Sequence, residues 1–260
     1  MYNYLPSLYF FGVGAIVGSF LNVLIVRLPR GENFVSRRSH CPHCGALIRW
    51  YDNIPLLSFA ILGGRCRCCR GNISWRYPLV ELLTGAAFLL TYQLYGVSYR
   101  MILADLFLAL LLVISIIDFR EYIIPDKITI PGIILGFAAA FVNPSITPME
   151  SFIGFLAGGV SLYLVALLGD YIFRKESLGG GDIKLAAMLG AWLGWQNMII
   201  IFFGGALLGL VYAIFQMARS RQMRRTRLIP FGPFLSLAAL IALFWGDYLI
   251  DFYLQHVLQQ

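Results

Sequence analysis

Apolar runs of membrane length, parted by short polar stretches, make up most of the chain. Eight can be marked, at about 5–26, 78–95, 101–118, 128–142, 150–169, 183–199, 200–218 and 230–250. A helix needs roughly 20 mostly apolar residues to cross a bilayer. The fourth and sixth runs are short, and only residues 194–197 part the sixth from the seventh, so seven spans is the alternative count. The pattern predicts an all-α polytopic membrane protein of about eight transmembrane helices. The first run opens on Met-Tyr-Asn-Tyr and closes on Arg27-Leu28-Pro29-Arg30, which reads as a retained helix and not a cleaved signal peptide. One long polar stretch follows it. The expected organisation is a first transmembrane helix at 1–27, a loop domain at 28–77 and a membrane domain of about seven helices at 78–260.

Composition agrees with the pattern: 59% of the 260 residues are hydrophobic and 13% charged, against about 45–50% and about 25% in soluble chains. The net charge of +7 invites a nucleic-acid reading, but the placement of the charges argues for lipid. Nineteen of the twenty Lys and Arg fall within 27–77, 119–127, 170–184 and 219–229, and Arg100 alone falls on the other side. Basic loops stay cytosolic. The N-terminus is therefore expected outward, and the four basic loops inside a bacterial plasma membrane. The stretch 219–227 reads as an anchor to anionic lipid, worth about 1 kcal/mol per basic residue, with no nucleic acid as partner.

All five cysteines lie in the long loop, as Cys41-Pro-His-Cys44 and Cys66-Arg-Cys68-Cys69. The cytosol disfavours disulfides. Two C-x2-C knuckles about twenty residues apart suit a four-thiolate zinc site, since each turn aims two sulfurs at one point. Cys41, Cys44, Cys66 and Cys69 are the expected ligands. Cys68 is a surplus thiol that could replace Cys66 or Cys69, and His43 sits within the first knuckle, as a donor behind the ligands or exposed. A loop this small and polar gains from a metal staple. A membrane dithiol redox protein would want a single reactive knuckle instead.

Two carboxylates end up at the inner membrane edge. Asp118 closes the third apolar run, and Asp182 follows Gly179-Gly180-Gly181. Ionisable groups there are costly and point to function. Two facing carboxylates can divide the labour of acid and base and so activate a water. The glycines allow close approach of a substrate strand and are expected to keep the chain from locking into a helix. The plainer alternatives are that Asp182 caps a helix starting at Ile183 and that Asp126 caps the next helix. Spacing does not choose a pair among Asp118, Asp182, Glu121, Asp126, Asp170 and Glu176. An ion-coupled transporter could use Asp118 and Asp182 at broken helices, although its coupling acids would sit nearer mid-membrane and it would need no zinc loop. A non-catalytic assembly factor of a secretion machine is a further alternative. Gly12-Val-Gly14-Ala-Ile-Val-Gly18 mimics a nucleotide loop but lies inside an apolar run, so it reads as helix packing.

Together these residues resemble the prepilin peptidase family. Gly179 through Asp182 resembles the G-x-G-D motif of intramembrane aspartyl proteases. The likeness extends from Gly18-Ser-Phe-Leu-Asn22 through Arg27-Leu-Pro-Arg30-Gly31, both cysteine pairs and Trp50-Tyr-Asp52-Asn53-Ile-Pro55. It continues through Arg76-Tyr-Pro-Leu-Val-Glu81 and Asp118 to Ile124-Pro-Asp126, the block from Glu176 to Lys184, and Pro230-Phe-Gly232-Pro233. The resemblance implies cleavage of type IV prepilin and pseudopilin leaders at the cytosolic face, with Asp118 and Asp182 as the catalytic pair. It also implies N-methylation of the new N-terminus with S-adenosylmethionine by the cysteine loop region at 28–77. The residues expected for methyl transfer are those at the loop's membrane border: Asn22, Arg27, Asp52, Asn53, Arg76 and Glu81. Glu81, just inside the second apolar run, is expected to pair with Arg76 or Arg27 or to orient the substrate amine.

Overall fold

The computed structural model describes residues 4–33, 39–174, 178–219 and 229–257. Arg37, Arg38, Lys175, Glu176 and the basic stretch beyond Arg219 lie outside the described residues. Among the described residues the regular structure is helical, apart from a 3-10 turn at Trp50–Asn53 and two isolated bridges, His40 with Leu47 and Arg65 with Asn72. The helices are α1 (Tyr4–Arg27), α2 (Leu57–Ile61), α3 (Arg76–Tyr95), α4 (Tyr99–Glu121), α5 (Asp126–Ala140), α6 (Pro148–Phe173), α7 (Gly180–Arg219) and α8 (Gly232–Val257). Five of them, α1, α4, α6, α7 and α8, are long and apolar enough to cross a bilayer. The second and fourth apolar runs correspond to α3, which carries Glu81, and to α5, whose 15 residues fall short of a full span.

The sixth and seventh runs are parted within residues 194–197, where the sequence places the parting. They form one element, α7, and the break falls at Gly194, where φ 80° and ψ 170° interrupt the helix. That backbone region is essentially confined to glycine. The expectation for the glycine run ahead of Asp182 is corrected: Gly180 and Gly181 occupy the first turn of α7, so they do not hold the chain extended, and only Gly179 stays outside. Asp182 therefore sits inside the first turn and is not the cap. Asp126 is likewise the first residue of α5, where Pro125 holds the cap position without a side-chain bond.

The chain divides into two compact units, Met1–Ala109 and Leu110–Gln260. In the first, α1 and α3 pack antiparallel through small residues. A Cβ on Gly14 would lie 2.7 Å from the Thr84 carbonyl oxygen, and one on Gly18 would lie 2.8 Å from the Glu81 Cα. Gly14 and Gly18 thus serve helix packing, while a Cβ on Gly12 would meet open space. With lipid tails as apolar as leucine, close backbone approach and dispersion hold such helices together.

In the second unit α7 is the hub for α5, α6 and α8. Gly154 of α6 seats against the Gly190 backbone, and Gly158 against Ala186. Ser151 Oγ donates to the Ala191 carbonyl at 2.6 Å, and Trp192 Nε1 donates to the Gly132 carbonyl at 2.8 Å. The start of α6 is fixed by a capping box of Thr147 and Glu150 with Pro148 in the first turn. These contacts hold α5 and α6 against the α7 arm that carries Asp182 in its first turn.

Candidate functional site

Three elements of the second unit meet around Asp118. Its carboxylate, 5% exposed, sits three residues before the end of α4. The Gly232 backbone N–H, at the start of α8, donates to Asp118 Oδ2 at 2.9 Å. A Cβ on Gly232 would lie 2.7 Å from the same oxygen and 3.1 Å from Ile124 Cδ1. Ile124 also faces α7: a Cβ on Gly181 would lie 2.9 Å from Ile124 Cβ. The loop residue Ile124 is thus wedged between Gly232 and Gly181, and this sets Asp182 beside Asp118, near enough for the charge of Asp118 to act on it. Asp182 Oδ1 is buried and has no hydrogen-bond partner among the described residues. A buried acceptor without a donor costs about 1–3 kcal/mol, so the position asks for a ligand, a water or a proton.

Asp126, a rival for the pair, has another partner. Asp126 is half exposed and bridges to Lys184 Nζ at 2.7 Å. This pair ties the start of α5 to the first turn of α7. Sequence reasoning included Gly232 only as part of a motif and gave Ile124 no role, because both act through the absence or presence of bulk at a distant partner.

In the first unit the two knuckles converge. The Sγ atoms of Cys41, Cys44, Cys66 and Cys69 all lie within 4.8 Å of one another, with Cys41 and Cys69 3.9 Å apart. Four thiols so placed could hold a metal ion. Sulfurs bound tetrahedrally at about 2.3 Å lie about 3.8 Å apart, so the cluster fits with small adjustment. Cys68 is exposed and outside it. The knuckles share one backbone design. Cys41 N–H donates to the Ala46 carbonyl and Gly45 N–H to the Cys41 carbonyl. Twenty-five residues on, Cys66 N–H donates to Gly71 and Arg70 N–H to Cys66. The residue after the second thiol has positive φ in both, Gly45 at 70° and Arg70 at 58°. In the sequence only the two C-x2-C pairs are legible and the shared turn is not, because Arg70 stands where the first knuckle has Gly45. Backbone N–H groups of Cys69 and Cys68 aimed at the Cys66 sulfur hold its thiol down to about 7. His43 packs on Gly71 beside Cys69.

The expected membrane-border residues separate into two groups. Arg67 clamps Asp52 with paired contacts of 2.7–3.1 Å, and this holds the Asp52 carboxyl below its usual range and ties the Trp50–Asn53 turn to the second knuckle. Asn53 is exposed in that turn. The other group lies on α1 and α3. Asn22, 1% exposed, donates through Nδ2 to the Tyr77 carbonyl at 3.0 Å and leaves Oδ1 buried without a partner. Buried Arg27 donates to the Asn33 carbonyl at 3.3 Å. Arg76 stacks on the Tyr77 ring, with Nε buried and unpartnered. Glu81, 8% exposed, is met not by an arginine but by the Leu56 backbone N–H, 2.9 Å from Oε2. The expected pairing of Glu81 with Arg76 or Arg27 is therefore replaced by a main-chain bond. Asp105 went unnoticed in the sequence. It is 6% exposed within an apolar run, and Thr91 Oγ1 donates to it at 2.6 Å.

Helices of membrane length, a buried carboxylate couple at helix ends and a four-thiol cluster define a helical membrane enzyme with a metal-competent loop. Comparison with known proteins gives the family. Residues 13–95 match the bacterial peptidase A24 N-terminal domain, and residues 106–214 match the type IV leader peptidase family. A prepilin leader peptidase/N-methyltransferase of Aeromonas hydrophila is 36% identical over 98% of this chain and 97% of its own. Its namesake in Pseudomonas aeruginosa is 36% identical over 94% and 91%. That of Myxococcus xanthus is 39% identical over 80% of this chain and 62% of its own length. No solved structure matches. The chain belongs to the type IV leader peptidase family.

Proposed function

We propose that this chain cleaves the leaders of type IV prepilins and pseudopilins in the bacterial inner membrane and methylates the new N-terminus with S-adenosylmethionine. The observation that carries the reading is the couple of Asp118, buried and held by the Gly232 N–H, with Asp182, whose Oδ1 is buried and unpartnered. Asp118 and Asp182 form the catalytic pair. One carboxylate takes a proton from a water while the other, protonated, donates to the carbonyl of the scissile bond. The Gly232 N–H fixes one oxygen of Asp118 and so orients the carboxyl group. A Cβ on Gly180 would meet open space and one on Gly179 only Asp182, which leaves room for an extended peptide beside the acid.

Zinc bound by Cys41, Cys44, Cys66 and Cys69 closes the loop at 28–77, and a closed four-thiolate site has a structural role. When bound, S-adenosylmethionine supplies an electrophilic methyl group. Asn22, Arg27, Asp52, Asn53, Arg76 and Glu81 border its region. The arms of α7 on either side of Gly194, together with α1, α3, α4, α5, α6 and α8, make up eight spans. The N-terminus faces outward, the active site faces the cytosol, and residues 78–260 form the peptidase domain. Membrane lipid surrounds the spans, and nucleic acid is not a partner. The transporter alternative has no support among the relatives reported above, all of which carry peptidase and methyltransferase names.

The test uses purified protein in detergent with a prepilin substrate, following cleavage and methyl transfer by mass spectrometry. Asp118→Asn and Asp182→Asn should each abolish cleavage, while a pre-cleaved pilin is still methylated. Cleavage that survives either change removes that residue from the pair.

A further inference from the structure

Leu56 adopts an uncommon backbone conformation. Its φ of 61° and ψ of −48°, with Leu57 N–H donating to the Pro55 carbonyl at 2.6 Å, describe a γ-turn of the strained hand. Nothing in a leucine favours positive φ, and a non-glycine residue held there signals either a defect or a function. This turn points the Leu56 N–H at the buried carboxylate of Glu81. One turn away along the α1–α3 interface, Gly18 lies opposite Glu81 and Asn22 opposite Tyr77, and the unpartnered Asn22 Oδ1 is buried at that level. The cluster therefore offers one carboxylate and one amide oxygen, both acceptors, and Glu81 receives only neutral donors, the Ser19 hydroxyl of α1 and the Leu56 N–H of a strained main-chain turn.

We infer that Glu81 and Asn22 form a binding site for a primary α-ammonium group, and that the Leu56 turn is the cap this group displaces. An ammonium brings three donors and a positive charge, which matches two buried acceptors of which one is anionic. The Leu56 N–H brings a single neutral donor and holds it at the cost of backbone strain. Exchange of the cap for an ammonium thus gains a charge-assisted bond and lets the turn relax. The inference rests on the methyl-transfer half of the proposed function, where two reactants carry such a group: the new N-terminus of the cleaved peptide and the amino-acid end of the methyl donor.

Binding to full-length protein in nanodiscs separates the possibilities. The probes are a peptide with a free N-terminal phenylalanine, its N-acetyl twin, S-adenosylmethionine, and methylthioadenosine, which lacks the amino-acid end. Wild type should prefer the free amine in one pair by about tenfold or more, the scale of a hydrogen bond to a charged group. Glu81→Gln keeps an oxygen for the Leu56 N–H, so the fold, checked by melting and by leader cleavage, should hold while that preference is lost. Loss confined to the peptide pair assigns the site to the substrate, and loss confined to the donor pair assigns it to the donor. Both preferences surviving in Glu81→Gln, or neither present in wild type, overturns the site. Leu56→Gly keeps the N–H and removes the strain, so the cap should compete better and ammonium affinity should fall severalfold. An unchanged affinity overturns the cap. Absence of cleavage and methylation by wild type would count against the proposed function itself, whereas both activities without an ammonium preference count only against this site.

Discussion

Substituting Gly232 tests the carboxylate couple without touching either carboxylate. The added methyl of Gly232→Ala would sit 2.7 Å from Asp118 Oδ2 and 3.1 Å from Ile124 Cδ1. A carbon and an oxygen rest at about 3.3 Å in ordinary contact, slightly closer than the roughly 3.5–4.0 Å of two carbons, so about half an ångström must be found. Ile124 blocks one direction, because it is already wedged against Gly181. The Asp118 carboxyl group must therefore swing, and the 2.9 Å bond from the Gly232 N–H lengthens or breaks. Displacement of about 1 Å in a catalytic group costs on the order of a hundredfold in rate, so half of that predicts about tenfold in kcat. KM should stay near its wild-type value, because the methyl faces Asp118 and Ile124. The stability cost is about 1–3 kcal/mol if the buried acceptor loses its donor. The assay is cleavage of a prepilin in detergent over a range of substrate concentrations, with methylation of a pre-cleaved pilin as the internal control. A variant that cleaves at the wild-type rate would refute the claim that Gly232 positions Asp118. Equal loss of cleavage and methylation would show a general folding defect instead.

Three further outcomes follow from other parts of the molecule. Asp126→Asn should keep cleavage within about threefold and lower stability by less than about 1 kcal/mol, since its bridge to Lys184 is half exposed; complete loss of cleavage would return Asp126 to the catalytic pair. Arg70→Gly should raise the resistance of the loop to proteolysis in metal-stripped protein, by about 0.5–1 kcal/mol, because Arg70 sits at φ 58° where its counterpart in the first knuckle is already a glycine. The Cys66 thiol is held down to about 7 from 9.0 by the Cys69 and Cys68 N–H groups, so the stability this gives the metal-free loop is fully present above about pH 9 and is lost as pH falls to about 7. In metal-stripped protein the resistance of the loop to proteolysis should accordingly fall between about pH 9 and pH 7, and in metal-loaded protein a chelator at neutral pH should loosen the loop while leader cleavage continues.

Much of the architecture was legible because it depends on local composition. A run of about twenty apolar residues has few alternatives to a helix in lipid, so α1, α4, α6 and α8 appear close to where hydropathy places them. The knuckles were legible because a C-x2-C turn brings its own two sulfurs together. The parting of α7 was legible as residues 194–197, but not which of them breaks the helix, since only packing selects Gly194. Capping roles for Asp126 and Asp182 looked sound locally, but the ion pair to Lys184 and the company of Asp118 place them otherwise.

By itself the sequence determined a membrane chain, its apolar helices, two thiol turns and a short list of inner carboxylates. Tertiary structure decided which of these meet. Asp118 depends on the absence of a side chain at Gly232, 114 residues away, and Glu81 is met by a backbone N–H from a leucine in a conformation that no residue type announces. Such pairings arise from steric fit and from the need to satisfy buried polar atoms. Neither is a property of any one stretch of chain, so both become visible only when the helices are assembled.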